Sequence, residues 1–468
     1  MKTPTETSAL DAAYSHAVEY LSSLDTRPVR ATATLDELRV RLRRPLQADG
    51  IPAARVVEEL SNDVRDGLLG SAGGRFFAWV IGGAVPSALA ADWLTSVWDQ
   101  NAGMFAVSPA AAVVEETAGE WLKELLGLPA RASFAFVTGG QMANTTGLAA
   151  ARYRVLANHG WDVERQGLFH APRIRVVTGE HRHATIARAL RLLGMGTDCV
   201  VDLPLDAQGR LSPQVLREEL ERDPRAPTIV LMQAGEINTG AYDEFAALIP
   251  IARAHGAWVH IDGAFGLWAA ASPAYRHLMR GAEGADSWGT DGHKWLNVPY
   301  DCGYAFIADA DAHRAAMSQT AAYLTPSATA RDQVDWNPEF SRRARGFATY
   351  AAIRELGRDG IAAMVERCCR HAHALATRIG ALPGAELVWE PTLNQGLVRF
   401  PAPGPGATPE DDDRHTEATI AAVARTGEAF FGPTTFRGRR CMRISVCNWR
   451  TSEGDCDRAI EAVRAVLV

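Results

Sequence analysis

Between Ser133 and Ile307 the chain alternates short apolar runs with stretches of helical periodicity, and this alternation constrains the fold more than any other feature. The apolar runs are Ser133 to Val137, Ile174 to Val177, Thr228 to Gln233, Trp258 to Ile261 and Tyr304 to Ile307. Each has the length of a buried strand and is short for a helix. Asn144 to Ala157, Thr185 to Leu193 and Phe245 to Ala254 carry apolar residues at helical spacing instead. Strand, helix, strand in succession predicts an α/β fold, a mainly parallel sheet with helices on both faces. In such sheets the functional groups gather at the carboxyl ends of the strands.

The flanks differ. Residues 1–72 read as a helical segment, with helices over Asp11 to Leu24 and Pro52 to Leu69 and a capping box at Thr34 and Glu37. A helical start of this kind can pack on the body or on a partner subunit. Residues 73–345 form the expected large α/β domain, and 346–468 a small α+β domain. A long helix from about Arg345 to Ile379 leads into the latter. Strands near Glu386 to Trp389, Gly396 to Phe400 and Cys441 to Cys447 follow, mixed with helices Thr416 to Arg425 and Glu453 to Val466. Pro401 to Asp413, rich in Pro, Gly and Asp, reads as an exposed loop.

Four stretches carry chemistry. Asp286 to Asn297 reads Asp-Ser-Trp-Gly-Thr-Asp-Gly-His-Lys-Trp-Leu-Asn. Lys294 stands there between a turn and a new strand, and a desolvated lysine amine condenses with aldehydes. Asp262 ends the apolar run His260-Ile-Asp-Gly-Ala. A carboxylate inside such a run needs a cationic partner, and a protonated pyridine nitrogen is one. Helix capping is the plainer role for the same aspartate. Thr138-Gly-Gly-Gln opens a helix after a strand, where backbone amides bind phosphate. His181-Arg-His-Ala-Thr opens another, where a histidine can stack on a planar ring or simply cap the helix.

Taken together, in the order phosphate turn, stacking histidine, strand-end aspartate and lysine, the four resemble the type I pyridoxal-phosphate enzymes. They are similar in particular to the group II amino-acid decarboxylases, the aromatic-amino-acid and glutamate decarboxylase-like family. Gly74-Arg-Phe-Phe-Ala-Trp-Val, Ser108-Pro-Ala, Asn238-Thr-Gly-Ala-Tyr-Asp and Arg443-Ile-Ser-Val-Cys-Asn-Trp-Arg-Thr extend the resemblance over most of the chain.

The resemblance implies a seven-stranded, mainly parallel sheet and pyridoxal 5'-phosphate as cofactor. It implies Lys294 as the Schiff-base lysine, Asp262 as partner of the pyridine nitrogen and His183 as the stacking histidine. Gly140, Gln141 and His293 would meet the phosphate, and Ala264 would lie beside the ring. The activity implied is decarboxylation of an L-amino acid to the amine and carbon dioxide, through an external aldimine and a quinonoid. A homodimer with active sites at the subunit interface is implied as well.

Two departures stand out. Asp291 occupies a position where the family commonly has asparagine, and a carboxylate near a phosphate is repulsive. Thr290 is a substitute contact. The family's decarboxylases often carry a tyrosine on a mobile loop shortly before a tryptophan. Here that loop spans about Leu324 to Asn337 with Trp336 as landmark, has no tyrosine, and places Gln333 at the matching position. Tyr323 stands at its start. An aldehyde product is therefore a real alternative to the amine. Transamination and carbon–carbon lyase chemistry remain rivals, and a non-catalytic relative of the fold is a remote one. A transaminase usually needs an arginine for the α-carboxylate, and Arg342 and Arg443 are the candidates, while Phe77, Trp79, Phe105, Trp288 and Trp295 are pocket or core aromatics.

Charge and composition set the outer limits. The net charge of -7 argues against a nucleic-acid surface. The basic stretch Arg437 to Arg440 is broken by a glycine and reads as a solvated turn. No apolar run is long enough to span a bilayer, since Ile81 to Leu94 is interrupted by glycines and Pro86. Met1 to Ser8 lacks the apolar core of a signal peptide, and the seven cysteines lack zinc-type spacing. Buried, reduced thiols in a cytoplasmic protein are the expectation.

Overall fold

The computed structural model describes residues 4–319 and 329–467. Among them the strands are β1 (Phe76–Phe77), β2 (Ser133–Val137), β3 (Arg175–Gly179), β4 (Val200–Leu203), β5 (Thr228–Gln233), β6 (Trp258–Asp262), β7 (Ser287–Asp291), β8 (Gly303–Ile307), β9 (Glu386–Trp389), β10 (Gln395–Arg399), β11 (Phe430–Phe436) and β12 (Arg439–Ser445). Strands β2 to β8 build a seven-stranded sheet in the order β2-β8-β7-β6-β5-β3-β4. Only β8 runs against its neighbours β2 and β7; the other pairs are parallel. The second sheet, β1-β11-β12-β10-β9, is antiparallel except where β1 joins β11.

The central strands are buried along their whole length, which is what covering both faces with helices requires. Helix Gly140–Ala157 lies across the sheet with twelve buried residues, several of them alanine or glycine. Their small size lets it approach closely: a Cβ on Gly147 would sit 2.7 Å from the His260 ring.

Several expectations need correction. β4, β7 and β11 do not stand out as apolar runs, and β1 is only two residues long. β7 reads Ser-Trp-Gly-Thr-Asp, and its polar groups are tolerated because neighbouring strands satisfy them. Ser287 Oγ, for example, accepts the Trp258 indole N–H at 2.9 Å. Pro401 to Asp413 is only partly a loop, since a helix begins at Pro409. Thr408 and Asp411 cap it reciprocally, Pro409 suits the first turn, and acidic side chains follow where the helix dipole favours them. The long helix Gly346–Gly380 is broken at Gly357, whose φ of 61° belongs to the left-handed region that glycine enters freely.

The N-terminal helices are Pro4–Ser23, Leu35–Leu42 and Ala53–Val64. The capping box forms: Thr34 N–H donates to Glu37 at 2.7 Å, and Glu37 N–H to Thr34 Oγ1 at 3.3 Å. Arg437 and Gly438 make the tight turn between β11 and β12, both with positive φ. All seven cysteines are free and buried. Among the described residues, no helix is long and apolar enough to cross a membrane.

Candidate active site

β2, β3, β6 and β7 end on the same edge of the large sheet, and each delivers one element of the site. β6 ends in Asp262, which is buried and accepts the Ala264 N–H at 3.2 Å. Burial pushes its pKa up, while His183 and Lys294 pull it down. Such a carboxylate gains from a cation placed against it, and a protonated ring nitrogen would be one.

His183 stands at the start of helix Ala184–Leu192 and caps it, its Nδ1 accepting the Thr185 N–H at 3.3 Å. Capping is thus part of its role, and among the described residues it leaves Nε2 and the ring face free. His183 is exposed at the mouth of the site, yet desolvation lowers its pKa; Asp262 and Asp291 oppose that shift, while Lys294 and Arg443 reinforce it. Five residues from four separate stretches therefore share one electrostatic neighbourhood.

Lys294 lies just past β7, its Nζ 5.9 Å from the centre of the Phe265 ring. Its backbone is tightly held. Asn297, at φ 55°, accepts the N–H groups of Gly83 and Trp449, each at 2.9 Å, and donates to the Cys447 carbonyl at 2.9 Å. Gly82 packs on the Lys294 carbonyl. Gly82, Gly83 and Asn297 are positioning residues that sequence reasoning misses. The glycine pair is visible there, but only as an interruption of an apolar run.

Gly140 begins helix Gly140–Ala157, and its N–H donates to the Asp291 carboxylate. Gln141 turns its amide toward the neighbouring helix, donating to the Thr185 carbonyl at 3.2 Å, and its Oε1 is buried without a partner among the described residues. His293 accepts the Cys302 N–H at Nδ1, 3.1 Å away, so its neutral form carries the proton on Nε2, facing Asp291 at 3.3 Å. Tyr300 stacks on the His293 ring at 4.2 Å. Thr290 is buried, and its hydroxyl donates to the Ala264 carbonyl at 3.3 Å. Asp291 N–H bonds the same carbonyl at 2.9 Å, which fixes Ala264 beside the strand ends.

The two arginines part company. Arg342 has a fully buried side chain that pairs with Glu115 at 2.7 Å and donates to the carbonyls of Ala102 and Phe136. Glu115 also meets Arg331 at 3.6 Å. Arg342 is thereby committed to the fold, not offered to a ligand. Arg443, only 8% exposed, has its Nε buried without a partner among the described residues, as Arg342 Nε also is, and Glu236 is the acidic group that offsets its lowered pKa.

Three of the aromatic candidates are core. Phe77 is buried against Phe431, and Trp288 and Trp295 are core. Trp79 packs on Phe76 and Phe430 and is 49% exposed, while Phe105 is half-buried. Gln333 is buried, and both its amide atoms lack a partner among the described residues. Tyr323 and residues 324–328 of the expected loop lie outside the described residues.

This donor set fits pyridoxal phosphate. It offers a lysine amine at a strand end, a buried carboxylate seeking a cation, a histidine with a free ring face, and a glycine turn at a helix start. Residues 39–402 match the family described as "Pyridoxal-dependent decarboxylase conserved domain". L-2,4-diaminobutyrate decarboxylase of Rhizobium meliloti is 32% identical over 387 residues, 81% of this chain and 75% of that protein. Phenylacetaldehyde synthase of Petunia hybrida is 26% identical over 356 residues, 72% of this chain and 69% of that protein. Among solved structures, that of Oryza sativa TDC with PLP and tryptamine superposes with a TM-score of 0.92 at 24% identity, covering 100% of this chain and 99% of that one. The chain belongs to the pyridoxal-dependent decarboxylase family, the group II amino-acid decarboxylases of type I fold, and its cofactor is pyridoxal phosphate.

Proposed function

We propose that the protein decarboxylates an L-amino acid to the amine and carbon dioxide, with Lys294, Asp262 and His183 as the catalytic residues. The observation that carries this reading is their convergence at the strand ends of the large sheet, where Asp262 and Lys294 both act on His183. What pyridoxal phosphate supplies when bound is an electron sink for the pair left by the departing carboxylate. Lys294 provides the amine that attaches the cofactor and later returns a proton to the α-carbon. Asp262 keeps a negative charge at the ring nitrogen. His183 covers one ring face and limits water. Arg443 holds the substrate carboxylate and so sets which bond faces the ring. Gly140, Gln141 and His293 would meet the phosphate, with Ala264 beside the ring and Thr290 tying Ala264 to β7.

A second reading, oxidative decarboxylation to the aldehyde, is favoured by Gln333. At the position matching the family's loop tyrosine it presents a buried amide, which is no acid. We also propose a homodimer. Helices Leu35–Leu42 and Ala53–Val64 bury none of their residues within one chain, though Leu35, Val40, Val56 and Leu60 are apolar. Trp93, Trp98 and Phe340 are exposed as well.

Incubating the protein and cofactor with each common amino acid, and identifying products by mass spectrometry, tests the reading. Amine with carbon dioxide supports it and names the substrate. Aldehyde with ammonia and peroxide selects the second reading. A keto acid means transamination and overturns both.

A further inference from the structure

Asp291 is an acid in the middle of an anion site. One carboxylate oxygen accepts the N–H of Gly140, the first residue of its helix, and lies 3.3 Å from His293 Nε2. The other lies 3.3 Å from Lys294 Nζ. The side chain is 3% exposed, so solvent screens little of this charge. A Cβ on Gly140 would come within 2.9 Å of the carboxylate, and one on Gly139 within 3.1 Å. The glycine turn therefore leaves room for this side chain itself, before any ligand is considered.

A helix start carries partial positive charge and unpaired N–H groups, and Asp291 satisfies one of them with a carboxylate. The same amide is the natural donor to a cofactor phosphate. The same lysine ammonium must lose its proton to solvent before its amine can condense with an aldehyde, a reaction that releases one water. The 3.3 Å contact with the carboxylate holds that nitrogen where it stands.

We propose that Asp291 is an internal competitor for the cofactor, which holds the Gly140 amide and the Lys294 ammonium and must yield both before pyridoxal phosphate is seated. Cofactor affinity in this chain is then set by a residue that makes no favourable contact with the cofactor. The consequence is a protein whose cofactor site is ordered by its own side chain and which loads and unloads readily.

The test titrates the cofactor-stripped full chain with pyridoxal phosphate, and separately with pyridoxal, which lacks the phosphate, following the visible absorbance of the lysine-bound form. Asp291→Asn keeps the shape and removes the charge. It should bind pyridoxal phosphate about tenfold tighter or more, as loss of one close like-charge contact allows, and gain clearly less for pyridoxal. Unchanged or weaker binding of pyridoxal phosphate overturns the proposal. Equal gains for both ligands overturn the part that concerns the phosphate. The wild-type chain gives an arm that needs no variant to fold. Inorganic phosphate alone should leave its melting temperature unmoved, and a clear rise would show the amide to be open and the proposal wrong.

Discussion

Gly82 packs so closely against the carbonyl of Lys294 that a Cβ built on it would overlap the oxygen, with the His293 carbonyl 3.2 Å away. The two residues are far apart in sequence, and Asn297 links the same segments through the Gly83 N–H. Gly82→Ala must push the lysine segment away. We expect destabilisation of about 1–3 kcal/mol, the usual range for overpacking, and a drop in cofactor loading read from the visible spectrum. Full loading in the alanine variant would show that the segment adjusts freely.

Asp262→Asn tests the ring-nitrogen contact. The variant should keep its covalently held cofactor, because Lys294 is intact. Its turnover number should fall roughly 10²–10³-fold, the scale on which removing one electrostatic contact to a reacting group acts. Single-turnover kinetics would locate the loss in the chemical step; an unchanged rate would remove Asp262 from the catalytic set.

Arg342 and Arg443 should separate cleanly. Arg342→Ala leaves Glu115 buried without its closest partner and should cost about 3–5 kcal/mol in chemical denaturation. The folded fraction should keep its KM. Arg443→Met should leave the fold and the bound cofactor's spectrum intact and raise KM for the amino acid. A changed KM in the first variant with none in the second would reverse the two assignments.

His260 makes the fold sensitive to acid. Buried between Ser287 Oγ at 2.8 Å and Asn144 Oδ1 at 3.0 Å, it has its pKa lowered to about 3 by desolvation. A depressed folded pKa means that its contribution is fully present above the unfolded value and is lost as pH falls toward the folded one. Between pH 7 and pH 5 the loss should be about 2 kcal/mol. Denaturant midpoints across that window should show the slope, and His260→Gln should flatten it. Equal slopes in both proteins would assign the acid sensitivity elsewhere.

Much of this molecule is legible in neighbouring residues. The runs at Ser133, Thr228 and Trp258 become β2, β5 and β6, and the capping box at Thr34 forms, because periodicity and turn chemistry act over a few residues. The order of glycine turn, histidine, aspartate and lysine likewise identifies the family, since each motif is contiguous. β7 is not legible in this way. Its serine, threonine and aspartate become a buried strand only once β6 and β8 flank it.

The sequence by itself determined the alternating elements, the cofactor motifs and the residue types at the site. Only the tertiary structure decided what those residues do to one another. It turned Arg342 into a core ion pair, set Gly82 against Lys294, and brought the Asp291 carboxylate to the Gly140 amide, 151 residues away in the chain. The reason is physical. Local propensity depends on adjacent side chains, whereas the partner of a buried charge or the clearance beside a glycine depends on which distant segments pack together.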